Sequence, residues 1–149
     1  MEVKELRIGN WVYCKTENGN KVGKICALTD TLISVDVLDE KDGCSYHEIH
    51  MSNLRDSEVD CFLPIEITEQ MLADNGIEYV GEHEFDRRRC FLRNGVDCII
   101  IIYCTPNYTD YRMTIRKGNA EISEIPCQYL HELQNLYYEI NKKEIDFKL

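Results

Sequence analysis

Cys127-Gln128-Tyr129-Leu130-His131-Glu132-Leu133-Gln134-Asn135-Leu136-Tyr137-Tyr138-Glu139-Ile140 is the one long run in this chain with helical periodicity, and the reading of the fold starts from it. Tyr129, Leu133, Leu136, Tyr137 and Ile140 recur at i, i+4, i+7, i+8 and i+11, which predicts one apolar stripe. Gln128, Glu132, Asn135 and Glu139 fall largely elsewhere. His131, Gln134, Asn135 and Tyr138 mark a polar strip at i, i+3, i+4 and i+7, either a recognition surface or the solvated flank of a packed helix. Such a helix needs a surface to cover, and each apolar side chain it buries contributes about 1.5–3 kcal/mol.

The surface is read from the segment before it. Cys98-Ile99-Ile100-Ile101-Ile102-Tyr103-Cys104 is apolar on both alternating faces, the pattern of a central strand covered on both sides. It follows Cys90–Arg93 across Asn94-Gly95, the residues of a type I′ hairpin turn. Beyond it, Tyr111, Met113 and Ile115 alternate with Arg112, Thr114 and Arg116 as far as the turn residues Lys117-Gly118-Asn119. Ala120–Ile125 is a last weak strand. An antiparallel meander over 77–125 under a helix at 128–140 is an α+β unit. Ahead of it, Thr68 is placed as the N-cap of a short helix over 69–75, with Glu69 in its first turn and Gly76 at the C′ position. Met71 and Leu72 are its expected buried residues.

The first part of the chain differs in kind. Strand patterns at Asn10–Lys15, Lys21–Leu28, Ile33–Val37 and Cys44–Met51 are separated by Asn18-Gly19, Thr29-Asp30 and Asp42-Gly43. Four short strands at this spacing predict a small SH3-like antiparallel β-barrel over 1–55. The second unit is then 56–149, after a polar connection near Ser52–Asp60.

The 149 residues carry 27 acidic and 17 basic side chains, a formal net charge of −10. That field discourages binding to duplex nucleic acid, itself a dense line of negative charge. The first residues lack an apolar run after a basic start, and no segment is long enough to span a bilayer, so no membrane partner and a cytoplasmic protein are expected. Eight cysteines in such a chain are expected as thiols, several acting as small apolar residues inside strands.

The chemistry is read mostly by exclusion. There is no Gly-x-Ser-x-Gly elbow, P-loop, Gly-x-Gly-x-x-Gly or His-Glu-x-x-His motif. In Cys44-Ser45-Tyr46-His47-Glu48-Ile49-His50 the two histidines fall on opposite faces of a strand, so they do not converge on one ion. No catalytic residue, cofactor or metal is therefore expected. Two groups are the candidates for binding. Arg87-Arg88-Arg89 either grips phosphate or a partner's carboxylates, or pairs with Glu82, Glu84 and Asp86 around its own loop. Trp11, Tyr13 and Tyr46 either form an aromatic face that binds peptides or single-stranded bases, or supply core.

Three blocks also carry a resemblance. Leu6-Arg7-Ile8-Gly9-Asn10-Trp11-Val12, Leu63-Pro64-Ile65 through Thr68-Glu69-Gln70-Met71-Leu72, and Tyr129 through Tyr138 resemble a family of small uncharacterised proteins carried by phages and mobile elements of gut anaerobic bacteria. The family pattern continues into a Thr-Gly-x-Glu-Leu turn, whereas this chain has Asn141-Lys142-Lys143-Glu144-Ile145, without the glycine. The resemblance implies an intracellular accessory protein and brings no activity, ligand or catalytic residue with it. The reading that results is a non-enzymatic binding or interaction protein acting on an unknown protein partner. Its alternatives are a sequestering protein for a small phosphorylated ligand, held at Arg87–Arg89 or between the two halves, and a Cys/His-dependent enzyme.

Overall fold

The computed structural model describes residues 3–16, 19–39, 43–50, 61–84, 87–95, 98–105, 110–145 and 147–149, with backbone alone for 38–39 and 43–50. The chain is α+β and divides into two compact units, Met1–Ile65 and Glu66–Leu149.

The first unit opens with a 3-10 turn at Val3–Glu5, followed by β1 (Trp11–Thr16), β2 (Gly19–Leu28), β3 (Leu32–Asp39), β4 (Gly43–His50) and β5 (Phe62–Leu63). All pairings are antiparallel, in the order β4-β3-β2-β1-β5. Val12, Cys14, Ile25, Ile33, Val35, Val37 and Phe62 alternate onto one face and pack with Val3 and Leu6 as the core. Two strands approach closely there: a Cβ on Gly23 would stand 2.5 Å from Val35 Cγ1 and 3.1 Å from Cys14 Sγ, so only glycine fits. Asn10, fully buried, ties the preceding turn to β2: its side chain accepts from the Arg7 amide at 2.7 Å and its carbonyl from Ile25 at 2.9 Å.

Two expectations change here. Among the described residues the ladder is open between β4 and β5, so the sheet is not a closed barrel. The unit also runs past residue 55. Phe62 and Leu63 return to pair with Cys14 and Tyr13, which completes the core from beyond the polar connection.

The second unit contains α1 (Glu69–Asp74), β6 (Glu78–Glu82), β7 (Arg89–Asn94), β8 (Ile99–Cys104), β9 (Tyr111–Lys117), β10 (Ala120–Pro126) and α2 (Leu130–Asn141). Its sheet has the order β10-β9-β8-β7-β6, a plain meander. Thr68 caps α1 as its sequence position demands, its hydroxyl accepting from the Met71 amide at 3.2 Å. Gly76 at φ +70° lets Ile77 return its amide to the Leu72 carbonyl at 2.9 Å. Leu72 is fully buried and Met71 only half so. The β7–β8 hairpin closes later than Asn94-Gly95 suggests. Asn94 pairs with Ile99, and the Gly95 amide donates to the Cys98 carbonyl at 2.9 Å. A side chain at Gly95 would crowd that approach, since its Cβ would stand 3.0 Å from the Cys98 oxygen.

Strand β8 also corrects an expectation. Ile100, Ile102 and Cys104 are sealed, but Ile99, Ile101 and Tyr103 are only half-buried, so this strand is fully covered on one face. The cover includes α2, which packs against β9.

The buried face of α2 differs from the apolar stripe. Leu130 and Leu133 are fully buried together with His131, Gln134 and Asn141, whereas Tyr129, Leu136, Tyr137 and Ile140 are half-buried. The polar strip therefore splits, with His131 and Gln134 inward and Asn135 and Tyr138 half-buried. Asn141 donates to the Tyr137 carbonyl and to Cys98 Sγ, each at 3.2 Å, and the His131 ring stacks on Tyr129. The helix begins at Leu130 because Glu132 takes the Gln128 and Tyr129 amides at 2.7 and 2.9 Å, the returning half of a capping box. At its end Lys142 adopts φ +53°, the left-handed turn that commonly closes a helix, and its amide donates to the Tyr138 carbonyl. The tail then buries Ile145 and Phe147, and Asn75 clamps Lys148 through both its amide and its carbonyl.

Leu133→Ala should therefore lower unfolding free energy by about 2–5 kcal/mol, and Leu136→Ala by less than half as much. Urea denaturation followed by circular dichroism tests this; equal losses would mean that the helix is seated on its apolar stripe after all.

Candidate functional site

The arginine run begins in a loop closed by two backbone hydrogen bonds, His83 to the Arg88 carbonyl at 2.8 Å and Arg87 to the His83 carbonyl at 3.0 Å. Arg87 sits at its tip with φ +59°, its side chain 78% exposed and 3.6 Å from Glu82. After it the chain enters β7, where successive side chains take opposite faces. Arg89 goes to the covered face, stacked over Tyr79 at 4.5 Å and bonded to Glu69 of α1. Arg88 goes to the opposite face, its guanidinium 4.9 Å from the centre of the Tyr103 ring and 3.3 Å from Glu124. The three arginines are consecutive in sequence but the structure does not bring them together. Of the loop carboxylates expected to neutralise them, Glu82 pairs with Arg87 and Asp86 lies outside the described residues; Arg88 and Arg89 also reach Glu124 and Glu69, beyond the loop.

What converges instead is the half-buried face of the second sheet. Register places Cys90 beside Tyr103 and Arg112, Leu92 beside Ile101 and Thr114, and Asn94 beside Ile99 and Arg116. Leu92, Ile99, Ile101 and Tyr103 form an apolar centre, with Arg88, Arg112 and Arg116 around it. Arg112 pairs with Asp110 at 3.3 Å and Arg116 with Glu121 at 2.6 Å. Ser123 and Arg116 hold the Glu121 carboxyl below the usual range. The His83 ring meets Tyr103 edge-on at 6.2 Å.

Glu124 is the feature that sequence reasoning missed. The β10–β9 register breaks between Ile122 and Ile125, and within that break Glu124 adopts φ +52°. A side chain other than glycine or asparagine at this angle costs about 1–2 kcal/mol. Three contacts hold it there. Its amide donates to the buried Thr114 hydroxyl at 3.1 Å, its carbonyl accepts from Arg112 at 3.3 Å, and its carboxylate accepts from Arg88. Ser123-Glu124-Ile125 contains no residue that favours this conformation, so nothing local announces it.

Both edges of this sheet are blunted. The register of β6 breaks at Val80 between flanking Glu78 and Glu82, and β10 carries its own break, acidic side chains and Pro126. Such irregularities and charges discourage strand addition.

The aromatic group of the first unit is assembled in part. Trp11 is half-buried and lies on the face opposite the core residues Val12 and Cys14, under the Lys24 ammonium at 5.5 Å. Tyr13 shares that face. Cross-strand register continues Trp11, Lys24 and Asp36 to Tyr46, whose side chain lies outside the described residues, as do those of Cys44, His47 and His50.

The described cysteines are thiols, not disulfides, and several are held in the neutral form. Burial raises Cys14 to about 11, helped by the nearby Cys61. Burial likewise raises Cys90, Cys104 and Cys127. A nucleophilic thiol requires the opposite shift. Among the described residues no group of three or more His, Cys, Asp or Glu side chains is arranged to hold a metal ion. Among them, too, no helix is long and apolar enough to cross a membrane. Comparison of the chain with protein-family models, with curated proteins and with solved structures finds no match to any of them.

The Cys14 shift sets a pH dependence. The folded state holds this proton more tightly than the unfolded chain, whose thiol titrates near 9.0. Its stabilising contribution is complete below that value and declines as pH rises toward about 11. At pH 7.5 its thiolate fraction should be about a hundredfold below that of an ordinary thiol, and alkylation followed by peptide mass mapping should rank Cys14 among the slowest sites. Rapid labelling of Cys14 in the folded protein would contradict this.

Proposed function

We propose that the protein is a non-enzymatic interaction protein that engages a protein partner through the half-buried face of its second sheet. One observation carries this reading. The central strand β8 seals Ile100, Ile102 and Cys104 completely, yet leaves Ile99, Ile101 and Tyr103 half-covered between arginines, while both edges of the same sheet are blunted. Apolar side chains ringed by arginine are the composition of a recognition patch, where aromatic residues and arginine are enriched. The raised thiols weigh against the Cys/His enzyme, and the dispersal of Arg87, Arg88 and Arg89 weighs against a three-arginine phosphate site.

The resemblance of the three sequence blocks supports a further part of the proposal, that this is an accessory factor of a phage or mobile element. Ile101→Glu should keep the melting temperature within a few degrees and abolish recovery of the partner that the parent protein retains when purified from its native cells. Equal recovery by parent and variant would rule the face out.

For the first unit we propose the finer SH3-like coiling, supported by the return of β5 to β1 and by the break in the β2–β3 register at Cys26. Backbone nuclear Overhauser contacts that bring the ends of β4 and β5 together are its mark; their absence would leave an open sheet.

A further inference from the structure

Resting on the reading of the second sheet as a partner-binding face, we propose that Arg88 on its Tyr103 platform is the anchor for a carboxylate of an acidic, aliphatic segment of that partner, and that Glu124 holds the place until the partner arrives. The argument begins from the backbone of Glu124. Its φ of +52° is a conformation that glycine or asparagine takes readily and glutamate does not. The break in β10 could be built around glycine, but the residue present carries a carboxylate, and that carboxylate reaches across the sheet to Arg88. An outlier of this kind points to a use for the side chain.

The two partners are unequally placed. The Arg88 side chain is 19% exposed and lies over the Tyr103 ring, whereas the Glu124 side chain is 51% exposed. The guanidinium is partly shielded from water, so an anion that takes the place of the Glu124 carboxylate there gains a charge-assisted hydrogen bond. The carboxylate is at the rim and can leave into solvent. A partner carboxylate entering as Glu124 leaves exchanges one charge-assisted hydrogen bond for another, with no net loss at Arg88.

The surroundings select what else the segment carries. Ile101, Leu92 and Ile99 continue the face beyond Tyr103, so aliphatic side chains next to the carboxylate gain cover. Arg112, which also donates to the Glu124 carbonyl, adds positive charge on the same side. The match is to an acidic and aliphatic segment, and these two arginines supply the local field that the chain's net charge of −10 opposes elsewhere.

Two fluorescein-labelled peptides test the proposal on the full-length protein, blocked Leu-Glu-Leu-Glu-Leu and its glutamine counterpart, by anisotropy. Glu124→Gly keeps the backbone angle without strain and removes the Glu124 carboxylate from Arg88. It should bind the glutamate peptide about tenfold or more tighter than the parent, the scale of one charged hydrogen bond. The glutamine peptide should gain nothing. Adding Arg88→Gln to Glu124→Gly should erase the gain. Glu124→Gln, which keeps the side-chain shape, should gain in the same direction and guards against a folding defect in the glycine variant. Equal affinities of the parent and both Glu124 variants, or a gain that survives Arg88→Gln, would overturn the proposal. So would displacement of the peptide by inorganic phosphate at lower concentration than by acetate, which would make the site one for phosphate. The two readings fail separately. If Ile101→Glu loses the partner and the Glu124 variants gain nothing, the exchange at Arg88 falls and the face stands. If the Glu124 variants gain while Ile101→Glu retains the partner, the reverse holds.

Discussion

The seating of α2 on β9 is the constraint from which the second unit follows. It brings Leu130 and Leu133 down with no exposure and, with α1 and the tail, closes one side of a five-stranded meander whose inward rows are Phe91, Ile100, Ile102, Met113 and Ile115. Each such side chain contributes about 1.5–3 kcal/mol relative to exposure. The other face of the sheet keeps a half-covered apolar centre at Ile99, Ile101 and Tyr103.

Covering the sheet with a helix that carries polar residues inward has a cost that must be met locally. Asn141 meets part of it through Cys98 and the Tyr137 carbonyl, yet its Oδ1 atom is buried with no hydrogen-bond partner among the described residues. The same is true of Arg93 Nη1 on β7. Buried polar atoms in this state are expensive. The Asn75 clamp on Lys148 acts at the other end of the same layer, holding Ile145 and Phe147 in the core.

The half-covered face derives its character from the outer strands as much as from β8. The break in β10 turns Glu124 toward Arg88, and the break in β6 at Val80 spoils the opposite edge as a template for strand addition. The first unit shows a related division of labour. Its core is made by one face of three strands with Val3, Leu6 and Phe62, while Trp11 and Tyr13 occupy the other with Lys24.

Much of the secondary structure was legible because its causes are local. Thr68 and Gly76 bound α1 through their own hydrogen bonding and backbone freedom; Thr29 and Gly118 mark hairpins by the same kind of chemistry. Alternation in Ile33–Val37 and Tyr111–Ile115 told which side chains share a face, because a strand has a period of two. By itself, then, the sequence determined an α+β chain of short antiparallel strands with two helices. Tertiary structure alone decided which face of α2 is buried, because hydrophobicity cannot foresee that His131, Gln134 and Asn141 find an interior. It also decided that Phe62 and Leu63 belong to the first sheet, and that Arg88 meets Glu124 while Arg89 meets Glu69. Those outcomes depend on groups far apart in sequence whose energies are settled only when the sheets and helices have packed.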